Sequence, residues 1–183
     1  EVHRPEDLPL YVHRAVKAAL APPPGPVFLS LPGDILKNDA DIDLLEPTRV
    51  APRMRGDAEA VARAAEMLAK AERPVIIAGD AVAQSGAHKE LVALAEAIAA
   101  PVYVEFIPSR ASFPASHPLY RGMMTRTQAG VREVLDKHDV VFSVGGDLFT
   151  WSLPSHIDPW PKGLPLIHLD TDPWQIGKNY PAQ

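Results

Sequence analysis

Glycines and carboxylates gather at three places in this sequence, each directly after a short apolar run. The first is Gly79-Asp80-Ala81-Val82-Ala83-Gln84-Ser85-Gly86, a glycine turn leading into a helix whose N-terminal amides could receive a phosphate. It lacks the full GxGxxG spacing, and Gly79 and Gly86 serve equally as residues that simply permit the turn. The second is Gly145-Gly146-Asp147-Leu148-Phe149-Thr150-Trp151-Ser152, where paired glycines let a ligand or another loop approach the backbone closely. The third holds Asp170 and Asp172, where a Rossmann-type fold puts the carboxylate that accepts ribose hydroxyl hydrogen bonds. Either aspartate also suits an N-cap or an Asx-turn. Together Gly79, Asp80, Gly86, Gly145, Gly146, Asp170 and Asp172 outline a nucleotide pocket for ADP, CoA or FAD.

Other chemistries are excluded by inventory. The sequence has no cysteine, so thiolate zinc sites, disulfides and cysteine nucleophiles are absent. His3, His13, His88, His117, His138, His156 and His168 show neither HxH nor HExxH spacing, which argues against zinc. His117, followed by Pro118, reads as a residue that holds a loop. Ser30 and Ser143 lie within apolar runs, and no GxSxG is present. Trp151, Trp160 and Trp174 occupy turn-rich segments and read first as packing residues.

These loops need elements to position them. Apolar residues at helical spacing predict helices over 7–20, with Asp7 as N-cap, and over 57–71, 86–99 and 127–137. Short continuous apolar runs predict strands at 27–31, 75–78, 102–106, 140–144 and 166–169, buried on both faces as parallel strands between helices are. The alternation is that of an α/β, Rossmann-like fold. Pro22-Pro23-Pro24-Gly25-Pro26 stops the first helix, and 37–56, with acidic then basic residues and no apolar periodicity, reads as an interdomain linker.

At 183 residues and 46% hydrophobic content the chain can bury one sizeable core, or one domain plus a fragment of another. A net charge of -5 without a basic patch argues against nucleic acid as a partner. No stretch approaches the roughly 18 apolar residues of a membrane helix, and no signal peptide is visible. A cytoplasmic location is expected. Glu1 in place of an initiator methionine suggests a piece of a longer protein.

Gly25-Pro26-Val27-Phe28-Leu29-Ser30-Leu31-Pro32-Gly33-Asp34, Arg73-Pro74-Val75-Ile76-Ile77-Ala78-Gly79 and Ala100-Pro101-Val102-Tyr103-Val104 resemble, in order and spacing, the thiamine-diphosphate-dependent enzyme superfamily. The segment from Ser109 to Met124 looks closest to the benzoylformate decarboxylase branch. Ile167-His168-Leu169-Asp170-Thr171-Asp172 and Ile176-Gly177-Lys178-Asn179 are similar to the acetolactate synthase branch. The resemblance runs from end to end. It implies residues 1–36 as the last helix and strand of a pyrimidine-binding domain, 37–56 as the linker, and 57–183 as the middle domain. The implied fold is a three-layer, DHS-like NAD/FAD-binding type of parallel sheet with helices on both faces, its last strand truncated.

The implied parent is a lyase or transferase in which thiamine diphosphate and Mg²⁺ act on a 2-keto acid, with loss of CO₂ and then protonation or ligation to an aldehyde. The family's catalytic glutamate would precede Glu1 and its GDG metal motif would follow Gln183. No catalytic residue is therefore assigned here, and the missing pyrimidine and diphosphate domains, within a homo-oligomer, are the expected partners. Flavin-binding relatives carry an arginine in the loop that here reads Gly145-Gly146-Asp147, so FAD is not expected. In the benzoylformate decarboxylase branch a histidine of this loop reaches the substrate; Ser152 takes that place here, and with Trp151 it is the candidate lining of a substrate channel.

Overall fold

A computed structural model describes residues 1–47, 55–151 and 155–183. The chain divides into two compact units, Glu1–Met54 and Arg55–Gln183.

In the first unit, Pro5–Asp7 forms a 3₁₀ turn that runs directly into helix α1, Leu8–Leu20. Asp7 stands at the N-cap position, but its backbone is already helical and its carboxylate makes no capping bond. The turn supplies the entry geometry that a cap would otherwise supply, and Pro9 fits the first helical turn, where its missing N–H costs nothing. A short helix α2, Gly33–Lys37, follows Pro32. Between the two helices the expected strand at 27–31 does not form. Val27–Leu31 has no regular structure and joins no ladder among the described residues. Among the described residues one backbone bond reaches it, from the Val2 N–H to the Ser30 carbonyl (3.0 Å), and Phe28 is 92% exposed. An apolar run specifies a strand only when a neighbouring strand takes up its N–H and C=O groups. Of the expected linker, residues 38–47 carry no regular structure and 48–54 lie outside the described residues.

The second unit is built on a five-stranded, all-parallel sheet of order β3-β2-β1-β4-β5. Helix α3, Ala58–Lys70, begins at Asp57, whose carboxylate accepts the Ala60 N–H (2.8 Å). Strand β1, Pro74–Ala78, is buried along its whole length. The short α4, Asp80–Gln84, and then α5, His88–Ala97, lead to β2, Val102–Val104. Strand β3 is Tyr120–Met123. Helix α6, Gln128–Leu135, is capped by the Thr127 hydroxyl, which accepts the Gly130 N–H. Strands β4, Val140–Val144, and β5, Leu166–Leu169, complete the sheet.

Strand alternation divides the core into two layers. Ile76, Ala78, Val102, Val104, Phe142 and Ile167 pack with Leu68 of α3, Val82 of α4, and Leu91 and Ala95 of α5. Val75, Ile77, Val141 and Leu166 pack on the other face with Val131 and Leu135 of α6. This is the three-layer α/β arrangement. Two departures from expectation concern exposed or broken elements. Strand β3 alternates between partly buried and exposed residues and contains Gly122 (φ +92°), so no continuous apolar run announces it. Strand β2 stops at Val104, although the Glu105 N–H still reaches the Ala78 carbonyl (3.1 Å). Among the described residues no helix is long and apolar enough to cross a membrane.

Candidate functional site at the carboxyl edge of the sheet

The order β3-β2-β1-β4-β5 reverses direction between β1 and β4, and in open parallel sheets this switch point, outside the carboxyl ends of the strands, is where ligands sit. The turn after β1 and the loop after β4 meet there backbone to backbone. The Gly79 N–H donates to the Val144 carbonyl (2.8 Å), and the Gly145 carbonyl accepts the Ala81 N–H (2.9 Å). A Cβ on Gly79 would collide with the Gly145 carbonyl, and one on Gly145 with the backbone of Ala81 and Val82. The close approach that these glycines allow is thus between two loops of this chain. The Ala81 amide, the natural phosphate donor at the start of α4, is already bonded. Gly86, at φ +66° in open surroundings, ends α4.

The carboxylates are similarly engaged. Asp80 accepts the Ser109 and Arg110 amides, each at 3.0 Å, and so holds the segment after β2. Asp170 accepts the Asp172 N–H (2.7 Å), and Asp172 in turn accepts the Trp174 N–H (3.0 Å): two consecutive Asx-turns. Burial pushes the Asp170 carboxyl above its ordinary range, against the pull of the Asp172 amide bond.

At the centre lies a residue that composition and spacing did not single out. Glu105 leaves the end of β2 with its carboxylate against the Cα of Gly146, where a Cβ would overlap it. Its Oε1 accepts the Leu148 N–H at 2.7 Å. Burial raises its pKa to about 7, the amides of Leu148 and Asp147 oppose that rise, and the charges of Asp147 and Asp170 add to it. The signal was present in the sequence: Glu105 is the one charge inside the apolar run Val102–Ile107.

The loop that Glu105 grips is strained. Leu148 (φ +49°) and Phe149 (φ +66°) are consecutive left-handed residues, bulky and almost fully buried, each costing on the order of 1–3 kcal/mol. Their surroundings hold them there. The Asn179 side-chain amide donates to the carbonyls of Asp147 (2.9 Å) and Leu148 (3.2 Å). His168 Nδ1 accepts the Gly177 N–H (3.3 Å), so the ring proton sits on Nε2 and is donated to the Gly146 carbonyl (2.9 Å). Beyond the turn, Trp151 is half-buried in an aromatic cluster, 5.2 Å from Phe106 and 5.6 Å from Phe149 between ring centroids, and donates its indole N–H to the Tyr180 hydroxyl (3.0 Å). Tyr180 stacks on Trp160 at 4.7 Å. Ser152 lies outside the described residues.

The structure therefore sets Gly79 and Gly145 against each other's loops, places Gly146 against Glu105 with Asp170 near enough to act on its charge, uses Asp80 and Asp172 to fix adjoining turns, and ties Trp151 to its own unit. His117 holds its loop, with Nε2 facing Glu96 Oε1 (3.2 Å) and Nδ1 accepting the Leu119 N–H (3.2 Å). Among the described residues no group of three His, Asp or Glu side chains is placed to hold a metal ion.

Comparison with known proteins gives this arrangement its context. The family profile described as thiamine pyrophosphate enzyme, central domain, matches residues 61–183. The chain is 37% identical over 158 residues to the sulfoacetaldehyde acetyltransferase of Castellaniella defragrans, covering 84% of this chain and 26% of that protein. It is 30% identical to the acetolactate synthase large subunit of Corynebacterium glutamicum, over 97% of this chain and 29% of that one. The crystal structure of benzoylformate decarboxylase from Polynucleobacter necessarius superposes with a TM-score of 0.90 at 30% identity, over 100% of this chain and 34% of that one. The chain spans about a third of the length of the curated relatives it matches first. With its sheet, its order of elements and 123 of its residues in register with that profile, the chain belongs to the thiamine pyrophosphate enzyme family, whose central domain it carries.

Proposed function

We propose that this chain is the middle-domain portion of a thiamine-diphosphate-dependent 2-keto acid decarboxylase or carboligase of the benzoylformate decarboxylase type, and that it contributes scaffolding and one wall of the substrate channel. The observation that carries this reading is the acidic, self-filled switch point. Glu105, Asp147 and Asp170 lie where a nucleotide diphosphate would have to sit, and the Ala81 amide that would receive it is bonded to Gly145. A diphosphate there would meet carboxylates in place of donors. That supports a purely structural middle domain over the nucleotide-binding module of an acetolactate synthase-like transferase.

Among the described residues the carboxylates of the switch point are not grouped to hold a diphosphate's cation, and Lys178, 4.0 Å from Asp147, is already paired with a carboxylate. This supports binding of thiamine diphosphate and Mg²⁺ by other parts of the parent. When bound there, the cofactor supplies the electron sink that lets a 2-keto acid lose CO₂. This chain positions the loop Gly145–Trp151 beside that reaction and keeps the sheet beneath it rigid. The parent is read as cytoplasmic and homo-oligomeric.

The test uses the full-length parent polypeptide, incubated with thiamine diphosphate, Mg²⁺ and either benzoylformate or pyruvate. CO₂ release with an almost colourless protein is expected. Stoichiometric bound flavin, read from its visible absorbance, would overturn the choice of the decarboxylase branch.

A further inference from the structure

We infer that Glu105 is a positioning residue for the loop Gly145–Trp151, gripping its strained turn through the Leu148 amide so that the charge on its carboxyl sets how Trp151 is presented to the substrate. The role in substrate presentation rests on the reading above; the coupling from Glu105 to Trp151 does not.

The path is short and every contact in it is direct. Glu105 Oε1 holds the Leu148 N–H at 2.7 Å. Leu148 and the next residue, Phe149, are both left-handed and buried, so neither can relax without moving the other. The Phe149 ring packs at 5.6 Å from both Phe106 and Trp151. Phe106 directly follows Glu105, so the same two-residue segment grips the loop by charge and by packing. A bond to an ionised carboxylate is roughly twice as strong as one to a neutral acceptor, so protonation weakens the grip without removing the acceptor.

Several charged groups surround Glu105. Asp147, in the loop it grips, and Asp170, after β5, both disfavour its ionisation. Lys178 lies 4.0 Å from Asp147. On β5, His168 bonds the Gly146 carbonyl. At the start of α4, Asp80 is committed to the Ser109 and Arg110 amides. With burial as the main cause, the Glu105 carboxyl titrates near pH 7, within the range where an enzyme works.

The experiment is a ¹H–¹⁵N NMR titration of this chain from pH 5.5 to 8.5, following the Leu148 amide and the Trp151 indole N–H. In the wild type both are expected to shift together with a midpoint near pH 7. In Glu105→Gln, which keeps an acceptor but no charge, both should stay flat and close to their low-pH positions. In Glu105→Ala, the Trp151 indole signal should move towards the solvent position as its bond to Tyr180 is lost. A wild-type Trp151 signal that does not titrate, or one that titrates unchanged in Glu105→Gln, would overturn the inference. If Glu105→Ala does not fold, the Glu105→Gln comparison still decides. No turnover is measured, so a negative result here leaves the reading of the parent's chemistry standing.

Discussion

Glu105 sits in its site at an energetic disadvantage that depends on pH. Its pKa is about 7 folded against an ordinary 4.5, so between those values the unfolded chain has released a proton that the folded chain retains. Stability from this group is complete below about pH 4.5, falls as pH rises towards 7, and is flat above. At 1.36 kcal/mol per unit the whole fall is roughly 3 kcal/mol. Glu105→Gln removes the ionisation while keeping an acceptor for Leu148. It should be about as stable as the wild type at pH 5 and about 1–3 kcal/mol more stable at pH 8, measured by urea unfolding at the two values. A variant less stable than wild type at pH 8 would mean that the charged carboxylate is held favourably and that burial does not dominate. A carboxylate retained at this cost fits a residue kept for its role in the loop.

At the scale of elements, strands β1 and β4 are fixed together at their starts by Asp139. Its carboxylate accepts the Glu72 (2.8 Å) and Arg73 (3.0 Å) amides, and its own N–H donates to the Arg73 carbonyl (3.1 Å). Asp139→Ala leaves two amides without their charged acceptor and should cost about 2–4 kcal/mol, read as a lowered unfolding midpoint with an unchanged urea slope. Strands with continuous burial were legible in the sequence: Val140–Val144, inside the sheet, and Leu166–Leu169, at its edge but buried over its first three residues, form with the bounds their apolar runs give. Tyr120–Met123 was not, since an edge strand with alternating exposure and a glycine has no such run. Val27–Leu31 has the run and forms no strand, because a ladder requires a second strand that periodicity cannot report. The site shows the same division. Gly79, Gly145 and Gly146 were legible as points of close approach, but what approaches them is a neighbouring loop and the Glu105 carboxylate. Contacts such as Glu105 to Leu148, 43 residues apart, have no local signature. What could have marked Glu105 is a single charge in an apolar run.

For the whole molecule, about a third of the length of its relatives is present, and the groups at the switch point are spent on one another. On the proposed reading the fold's contribution is shape: a parallel sheet whose carboxyl edge carries a pinned loop that includes Trp151. Isothermal titration of this chain with thiamine diphosphate in the presence of Mg²⁺ tests that claim most directly. The account predicts no saturable heat up to millimolar cofactor, corresponding to a binding free energy weaker than about -4 kcal/mol. Saturable binding with a one-to-one stoichiometry, abolished by altering Glu105 or Asp170, would contradict it and would make the switch point a cofactor site.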